Sequence, residues 1–352
     1  MSDADLYDYD LPEELIAQHA LERRADARLL VLRRAAGAID HRHVRDLPDL
    51  LRPGDLVVVN DTRVVPARLV GRRAATGGRW EGLFLQEEPG GGGWRILAQT
   101  RGRPEISERI VLIDREGRES ESLVLVGRGI GGTWIVQPET GGSAESILNR
   151  VGRVPLPGYI RGGEEGQGDL ARYQTVFARE PGSAAAPTAG LHFTEELLAA
   201  LADRGIGRAQ VTLHVGIDTF RPISTERLDD HPMHTEWCDC PEATVAAIRE
   251  TKARGGRVVA IGTTAVRTLE TAASRSPAGG LAAWSGSTDL FIKPGYSFRV
   301  VDCMLTNFHM PRTTLMVLVS TFASRDLIRR AYEEAIRERY RFLSYGDAML
   351  IQ

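Results

Sequence analysis

The chemistry-bearing residues of this chain fall into a few short segments. Ala185-Ala-Pro-Thr-Ala-Gly-Leu-His-Phe193 is nearly uncharged, carries the single imidazole of His192, and stands directly before a helix-start signal. Thr194 can cap a helix over 195–204, with two glutamates in its first turn and Gly205 as its stop, so His192 lies beside free backbone N–H groups. Such a turn suits a ligand with negative or polar groups. His214 sits inside Val211-Thr-Leu-His-Val-Gly, a strand pattern that ends at Gly216 and runs into Asp218, Thr219, Phe220 and Arg221. Polar residues at the carboxyl end of a strand are where open α/β sheets bind ligands. Gly262-Thr263-Thr264 repeats the arrangement, a strand delivering two hydroxyls to a helix start with Arg267 and Glu270 on that helix. A fourth cluster, Thr306-Asn-Phe-His-Met-Pro, brings Asn307 and His309. Each segment also has a purely structural reading, as cap, turn or core histidine. No Ser-His-Asp order and no metalloprotease helix accounts for the histidines.

Two patterns mimic better-known sites. Gly127, Gly129 and Gly132 match the dinucleotide fingerprint, yet they lie between two strand-like runs with no helix following, which reads as a hairpin turn. His231, His234, Cys238 and Cys240 offer four zinc-type ligands, but Cys-x-Cys is tighter than the usual structural pair, and Glu236 and Trp237 interrupt the set. A polar substrate loop is the stronger reading there.

The elements that must position these groups show two textures. The ends alternate strands and helices: strands over 29–32, 55–59, 209–215, 258–261 and 315–321, and helices over 241–255, 263–273 and 325–340, after a Pro-started amphipathic segment over 11–24. Between Ala67 and about Arg150 lie short alternating runs separated by glycine-rich turns, over 68–70, 81–85, 94–98, 109–113, 122–126 and 134–136. The expected fold class is therefore a layered α/β domain (1–63 and 153–352) with an inserted small β-barrel domain (64–152). The 352 residues, 42% hydrophobic and 26% charged, describe a soluble globular chain. No apolar run is long enough to span a bilayer, and the acidic start lacks a signal-peptide pattern, so a cytoplasmic location is expected, with no membrane partner. Three cysteines form too sparse a set for a disulfide scaffold. The net charge of −3 gives no overall basic footprint for nucleic acid, and the abundant arginine reads as a coding bias.

Longer motifs carry a resemblance. Asp10-Leu-Pro-Glu-Glu-Leu-Ile-Ala-Gln, Asn60-Asp-Thr-Arg-Val-Val-Pro-Ala-Arg-Leu, Tyr173-Gln-Thr-Val-Phe, Gly182-Ser-Ala-Ala-Ala-Pro-Thr-Ala-Gly-Leu-His-Phe-Thr, Thr212-Leu-His-Val-Gly, Gly262-Thr-Thr-Ala-Val-Arg-Thr-Leu-Glu, Phe291-Ile-Lys-Pro-Gly-Tyr, Thr306-Asn-Phe-His and Tyr340-Arg-Phe-Leu-Ser-Tyr-Gly-Asp-Ala-Met occur in this order. Together with His234 and Glu236 they make the whole chain similar to the S-adenosylmethionine:tRNA ribosyltransferase-isomerases of queuosine biosynthesis. The chain departs from the family pattern at Gly158, Met310 and Phe177, all readable as packing or turn changes.

The resemblance implies a β-barrel inserted in an α/β domain. It also implies transfer of the ribosyl group of S-adenosylmethionine onto 7-aminomethyl-7-deazaguanine at the wobble position of a queuosine-type tRNA anticodon, with rearrangement to epoxyqueuosine and loss of adenine and methionine. S-Adenosylmethionine is then a consumed substrate, and neither a cofactor nor a protein partner is implied. The chemistry needs a base for the ribose C5′ proton and an acid for departing adenine, roles suited to His192 and His214. Glu236 or Phe220 would face the sulfonium, and Arg267 with Thr263 and Thr264 would hold the methionine carboxylate. The family motifs add Asn60, Thr62, Arg63, Thr188, Gly190, Thr219, His234, Asn307 and His309 as substrate contacts. Arg63, Arg68, Arg101 and Arg103 are expected RNA-backbone contacts. A methyltransferase and a non-catalytic zinc-stabilised RNA-binding module are the competing classes; the first lacks the glycine-rich strand–helix turn its fold would want.

Overall fold

The computed structural model describes residues 2–216, 222–276 and 280–352. Its strands in chain order are β1 (Arg28–Arg33), β2 (Ala38–His43), β3 (Leu56–Asn60), β4 (Thr62–Val64), β5 (Arg68–Arg73), β6 (Arg79–Glu87), β7 (Trp94–Thr100), β8 (Arg109–Ile113), β9 (Glu119–Arg128) and β10 (Trp134–Pro138). They continue with β11 (Glu180–Ser183), β12 (Gly207–Leu213), β13 (Glu236–Cys240), β14 (Val258–Ile261), β15 (Trp284–Thr288), β16 (Cys303–Asn307) and β17 (Ala348–Ile351). The chain divides into two compact units, one of Met1–Arg63, Pro157–Gly162 and Arg172–Gln352, the other of Val64–Leu156 and Gly163–Ala171.

The larger unit is built on a nine-stranded mixed sheet in the order β15-β13-β12-β3-β14-β16-β17-β1-β2. Its central strands are uniformly apolar because both faces are covered. Leu56, Val58, Ala260 and Met304 point to one face, where they meet Ala265, Val266 and Leu269 of the helix Thr263–Arg275 and the helices Thr314–Ala323 and Arg325–Arg337. Val57, Val59, Val259 and Leu305 point to the other, against Leu197 and Leu201 of the helix Glu195–Asp203. The alternation follows directly from the two-residue period of a strand. β12, β3, β14 and β16 run parallel to one another, so Leu213, Asn60, Ile261 and Asn307 end at one edge of the sheet. That common edge positions the polar segments.

The smaller unit is a closed antiparallel barrel, β10-β7-β6-β5-β8-β9, filled by Trp80, Trp94, Trp134, Leu69, Ile96 and Ile110. Ile147, Leu148 and Val151 of the helix Ala144–Val151 pack into the same core. Closure leaves no strand edge to pair with another chain. All six sequence-derived runs fall on these strands; Gly127 lies within β9 opposite Ile135, and Gly129 and Gly132 belong to the β9–β10 hairpin connection.

Two expectations differ from the structure. Residues 315–321, read as a buried strand, form the helix Thr314–Ala323, with Thr313 as its cap accepting from the Met316 N–H at 3.3 Å. A helix buried almost all round has no polar face to reveal its period, so an apolar run of this length reads equally as a strand. The amphipathic segment 11–24 makes only short 3-10 turns, Glu13–Leu15 and Arg24–Asp26. The backbone of Ala17 instead donates to Phe342 O at 3.2 Å, so the segment is fixed tertiarily rather than as a helix. Among the described residues, no helix is long and apolar enough to cross a membrane.

Candidate active site at the ends of the parallel strands

Where β3 ends, Asn60 is spent on the backbone. Its Nδ2 donates to Leu213 O at 3.0 Å, and its Oδ1 accepts from the N–H groups of Leu213 (3.0 Å) and Thr62 (3.1 Å). The amide thereby ties β3 to the end of β12 and fixes the next residue, His214. The His214 Nδ1 lies 2.8 Å from Thr62 Oγ1, and its ring stacks on Trp237 with centroids 5.1 Å apart and planes 21° from parallel. Burial holds the imidazole below its ordinary pKa, against the opposing charge of Glu180. Asp61, between Asn60 and Thr62, accepts from Thr212 Oγ1 at 2.7 Å and meets Arg179 at 3.0 Å, while burial raises its carboxyl.

On the neighbouring β13 the Glu236 carboxylate is 3% exposed and forms an ion pair with Arg267 Nη1. Its Oε1 accepts from the Gly216 N–H at 2.9 Å and lies 3.5 Å from His234 Nε2. Arg267 projects from the first turns of the helix that begins after β14, where Gly262 adopts φ +90° and leads into Thr263 and Thr264. Arg267 Nε and Nη2 and Thr264 Oγ1 are buried and have no hydrogen-bond partner among the described residues. A buried guanidinium half-satisfied in this way is costly unless a ligand completes it.

The third group stands over β16. The turn Thr188–His192 brings Ala189 against Gly262, and His192 Nε2 lies 3.4 Å from Asn307 Nδ2. The backbone of Arg24 also hydrogen-bonds the His192 ring. Burial pulls His192 down to about 4. Asn307 Nδ2 also donates to Leu343 O at 3.0 Å, which fixes the amide and leaves Oδ1 a buried acceptor with no donor among the described residues. His309 Nε2 meets Thr306 Oγ1 at 2.8 Å, and burial pushes this imidazole down to about 3. Thr188 lines a small cavity with Asn307, His309, Leu343 and Ser344. At Gly190 a Cβ would come within 2.9 Å of Phe177 and Thr175.

Of the residues singled out from sequence, these are therefore placed along one sheet edge, with Arg63 half-buried on β4 beside Thr62. Thr219 and Phe220 lie outside the described residues. Arg68 is engaged by Glu81 at 2.9 Å and by Gly163 O, so it is not held free for a phosphate; Arg101 and Arg103 are exposed. Cys238 and Cys240 point inward from β13 with thiols pushed up to about 12 by burial, and His231 packs edge-on to Phe291. Among the described residues no three His, Cys, Asp or Glu side chains gather as they would around a metal ion. Sequence reasoning missed Trp237, Gly182 and Asp61. The alternation of β13, with Glu236 and Cys238 inward, places Trp237 on the outer face, and that was the available signal.

A family model described as "Queuosine biosynthesis protein" matches residues 4–351. The S-adenosylmethionine:tRNA ribosyltransferase-isomerase of Symbiobacterium thermophilum is 49% identical over 98% of each chain. The enzyme of the same name from Xanthomonas oryzae pv. oryzae is 50% identical over 98% of this chain and 95% of its own. The crystal structure of the S-adenosylmethionine tRNA ribosyltransferase of Thermotoga maritima is 37% identical, with a TM-score of 0.56 over 99% of this chain and all of that one. These matches favour neither a methyltransferase nor a zinc-stabilised binding module, and the chain belongs to the S-adenosylmethionine:tRNA ribosyltransferase-isomerase family.

Proposed function

We propose that the polar edge of the sheet is where this chain performs its family's reaction, with S-adenosylmethionine consumed as substrate and no cofactor required. The RNA substrate is a tRNA of the queuosine type, carrying 7-aminomethyl-7-deazaguanine at the wobble position. The observation that carries this reading is the Arg267 guanidinium. Glu236 holds one of its nitrogens, and among the described residues two more have no partner, nor does the hydroxyl of Thr264 at the helix start. A carboxylate accepts two parallel N–H bonds from such a fork, and the helix start adds further donors. The carboxylate of the methionine moiety fits that demand.

His214 is the proton acceptor. Thr62 occupies its Nδ1, and Nε2 stands against the backbone of Gly182 with no hydrogen bond to a described residue. Burial keeps the ring neutral at pH 7, the state in which it can take a proton from the ribose C5′ beside the sulfonium. The proton gained is the one that adenine requires as it leaves, so a single imidazole serves both transfers. His192, held by Asn307 and by the backbone of Arg24, supports the turn that covers the site. A wobble base reacting here must leave its stack to reach the sheet edge.

The test is incubation with S-adenosylmethionine and tRNA bearing the aminomethyl-deazaguanine. Adenine release together with a nucleoside of epoxyqueuosine mass is the expected result. A gain of one methyl mass would replace the reading with methyl transfer, and tRNA binding without turnover would replace it with a binding module.

A further inference from the structure

The short ribbon formed by β4 and β11 has no core of its own, yet it carries two of the groups that surround His214. From β4, Thr62, fully buried, places Oγ1 2.8 Å from Nδ1. From β11, the Gly182 backbone passes directly over the ring: a Cβ there would stand 2.9 Å from Nε2, and φ is +143°, a conformation that suits glycine. From β13, Trp237, 42% exposed, stacks on the ring at 5.1 Å, and its carbonyl accepts the His214 backbone N–H at 3.0 Å. Asn60 locks the strand end from which the ring projects. A surface tryptophan, a glycine of restricted conformation and a buried hydroxyl meeting on one imidazole have no packing role that requires all three.

We infer that Thr62, Gly182 and Trp237 form a cradle that fixes His214 as the Nδ1–H tautomer with Nε2 turned to the reacting atoms, so Thr62 is a positioning residue rather than a substrate contact. The inference rests on the assignment of His214 as the proton acceptor. If Thr62 accepts from Nδ1–H, the lone pair must sit on Nε2, the arrangement a general base needs. The Thr62 oxygen then also favours the imidazolium once Nε2 has taken its proton, while the Trp237 face stabilises the cation. Among the described residues, Glu180 on β11 is the charged group acting on the ring, and it favours the same protonated form. The cradle thus leaves the imidazole neutral before reaction and stabilises it after.

The experiment has two arms. Nitrogen NMR of histidine-labelled protein, with His214 assigned from a His214→Gln sample, reports the tautomer without any substrate. The cradle requires Nδ1–H in the native chain and a mixture of tautomers in Thr62→Val, with Thr62→Ser restoring the native spectrum. An Nε2–H tautomer in the native chain, or a spectrum unchanged by Thr62→Val, overturns it. In the kinetic arm, Thr62→Val lowers kcat about tenfold, leaves KM for S-adenosylmethionine unchanged and moves the acid limb of the kcat/KM profile to lower pH; Trp237→Ala lowers kcat by a smaller factor. A raised KM with the limb in place would make Thr62 a substrate contact and remove the inference. A native tautomer spectrum combined with full turnover by His214→Gln would keep the cradle's geometry but sink the proton-acceptor assignment, so the two failures are distinguishable.

Discussion

His214 and His192 stand at two ends of the same sheet edge and have opposite surroundings. At the β12 end the imidazole has one nitrogen held and one open, beside a tryptophan 42% exposed. At the β16 end the imidazole is 5% exposed and held by Asn307 and the backbone of Arg24. Both histidines lie in similarly apolar sequence and both have lowered pKa values, so neither residue type nor titration separates them. The unfilled bonding position does. A general base needs a lone pair facing substrate, whereas a fully satisfied buried histidine maintains the fold.

Exchanging the two histidines one at a time is the sharpest way to break that contrast. His214→Ala is expected to lose about 10²- to 10⁴-fold in adenine release while S-adenosylmethionine binding persists. His192→Gln, which keeps an acceptor for Asn307, is expected to retain most of its turnover. Single-turnover adenine release with a binding isotherm measures both, and a reversed order of losses would move the base to the β16 end.

The Arg267–Glu236 pair has the next largest effect because it serves binding and fold together. Arg267→Met takes from the buried Glu236 carboxylate its ion-pair partner, while the Gly216 N–H and His234 stay beside it. Stranding a buried charge costs about 3 kcal/mol or more, and the carboxylate site is lost as well. Arg267→Met with Glu236→Leu is expected to recover much of the stability but none of the S-adenosylmethionine affinity. Denaturation midpoints and calorimetric titration separate the two contributions; recovery of affinity in the double variant would remove Arg267 from the ligand site.

Much of this arrangement was legible in the sequence for a physical reason. Strand ends, helix starts and caps are local signals, so Gly262-Thr-Thr, Thr194 and the six barrel runs could be placed from neighbours alone. The helix Thr314–Ala323 could not, since burial on all sides erases the amphipathic period. The difference between His214 and His192 was equally hidden. It depends on Thr62 and Asn307, residues 152 and 115 positions away in the chain, and no local pattern records such partners. Trp237 looked like an interruption of a ligand cluster because its role comes from the sheet pairing of β12 with β13.

The smallest effect tests the satisfied end of the edge through pH. His192 and His309 are held down to about 4 and about 3 by burial, against an unfolded value of about 6.5. The folded pKa values are depressed, so below pH 6.5 the unfolded chain binds more protons and stability falls as pH falls. The loss continues until the folded values are reached, at up to about 1.4 kcal/mol per pH unit for each histidine. Asp61 and Asp347, whose carboxyls burial raises, act in the opposite direction at lower pH. The difference between two chains isolates one ring: subtracting the midpoint of His192→Gln from that of the native chain between pH 7 and 5 is expected to leave the slope of a single proton. An equal slope in both chains would mean that His192 takes up its proton without unfolding. It would then share the open character assigned to His214, and the contrast between the two ends would fail.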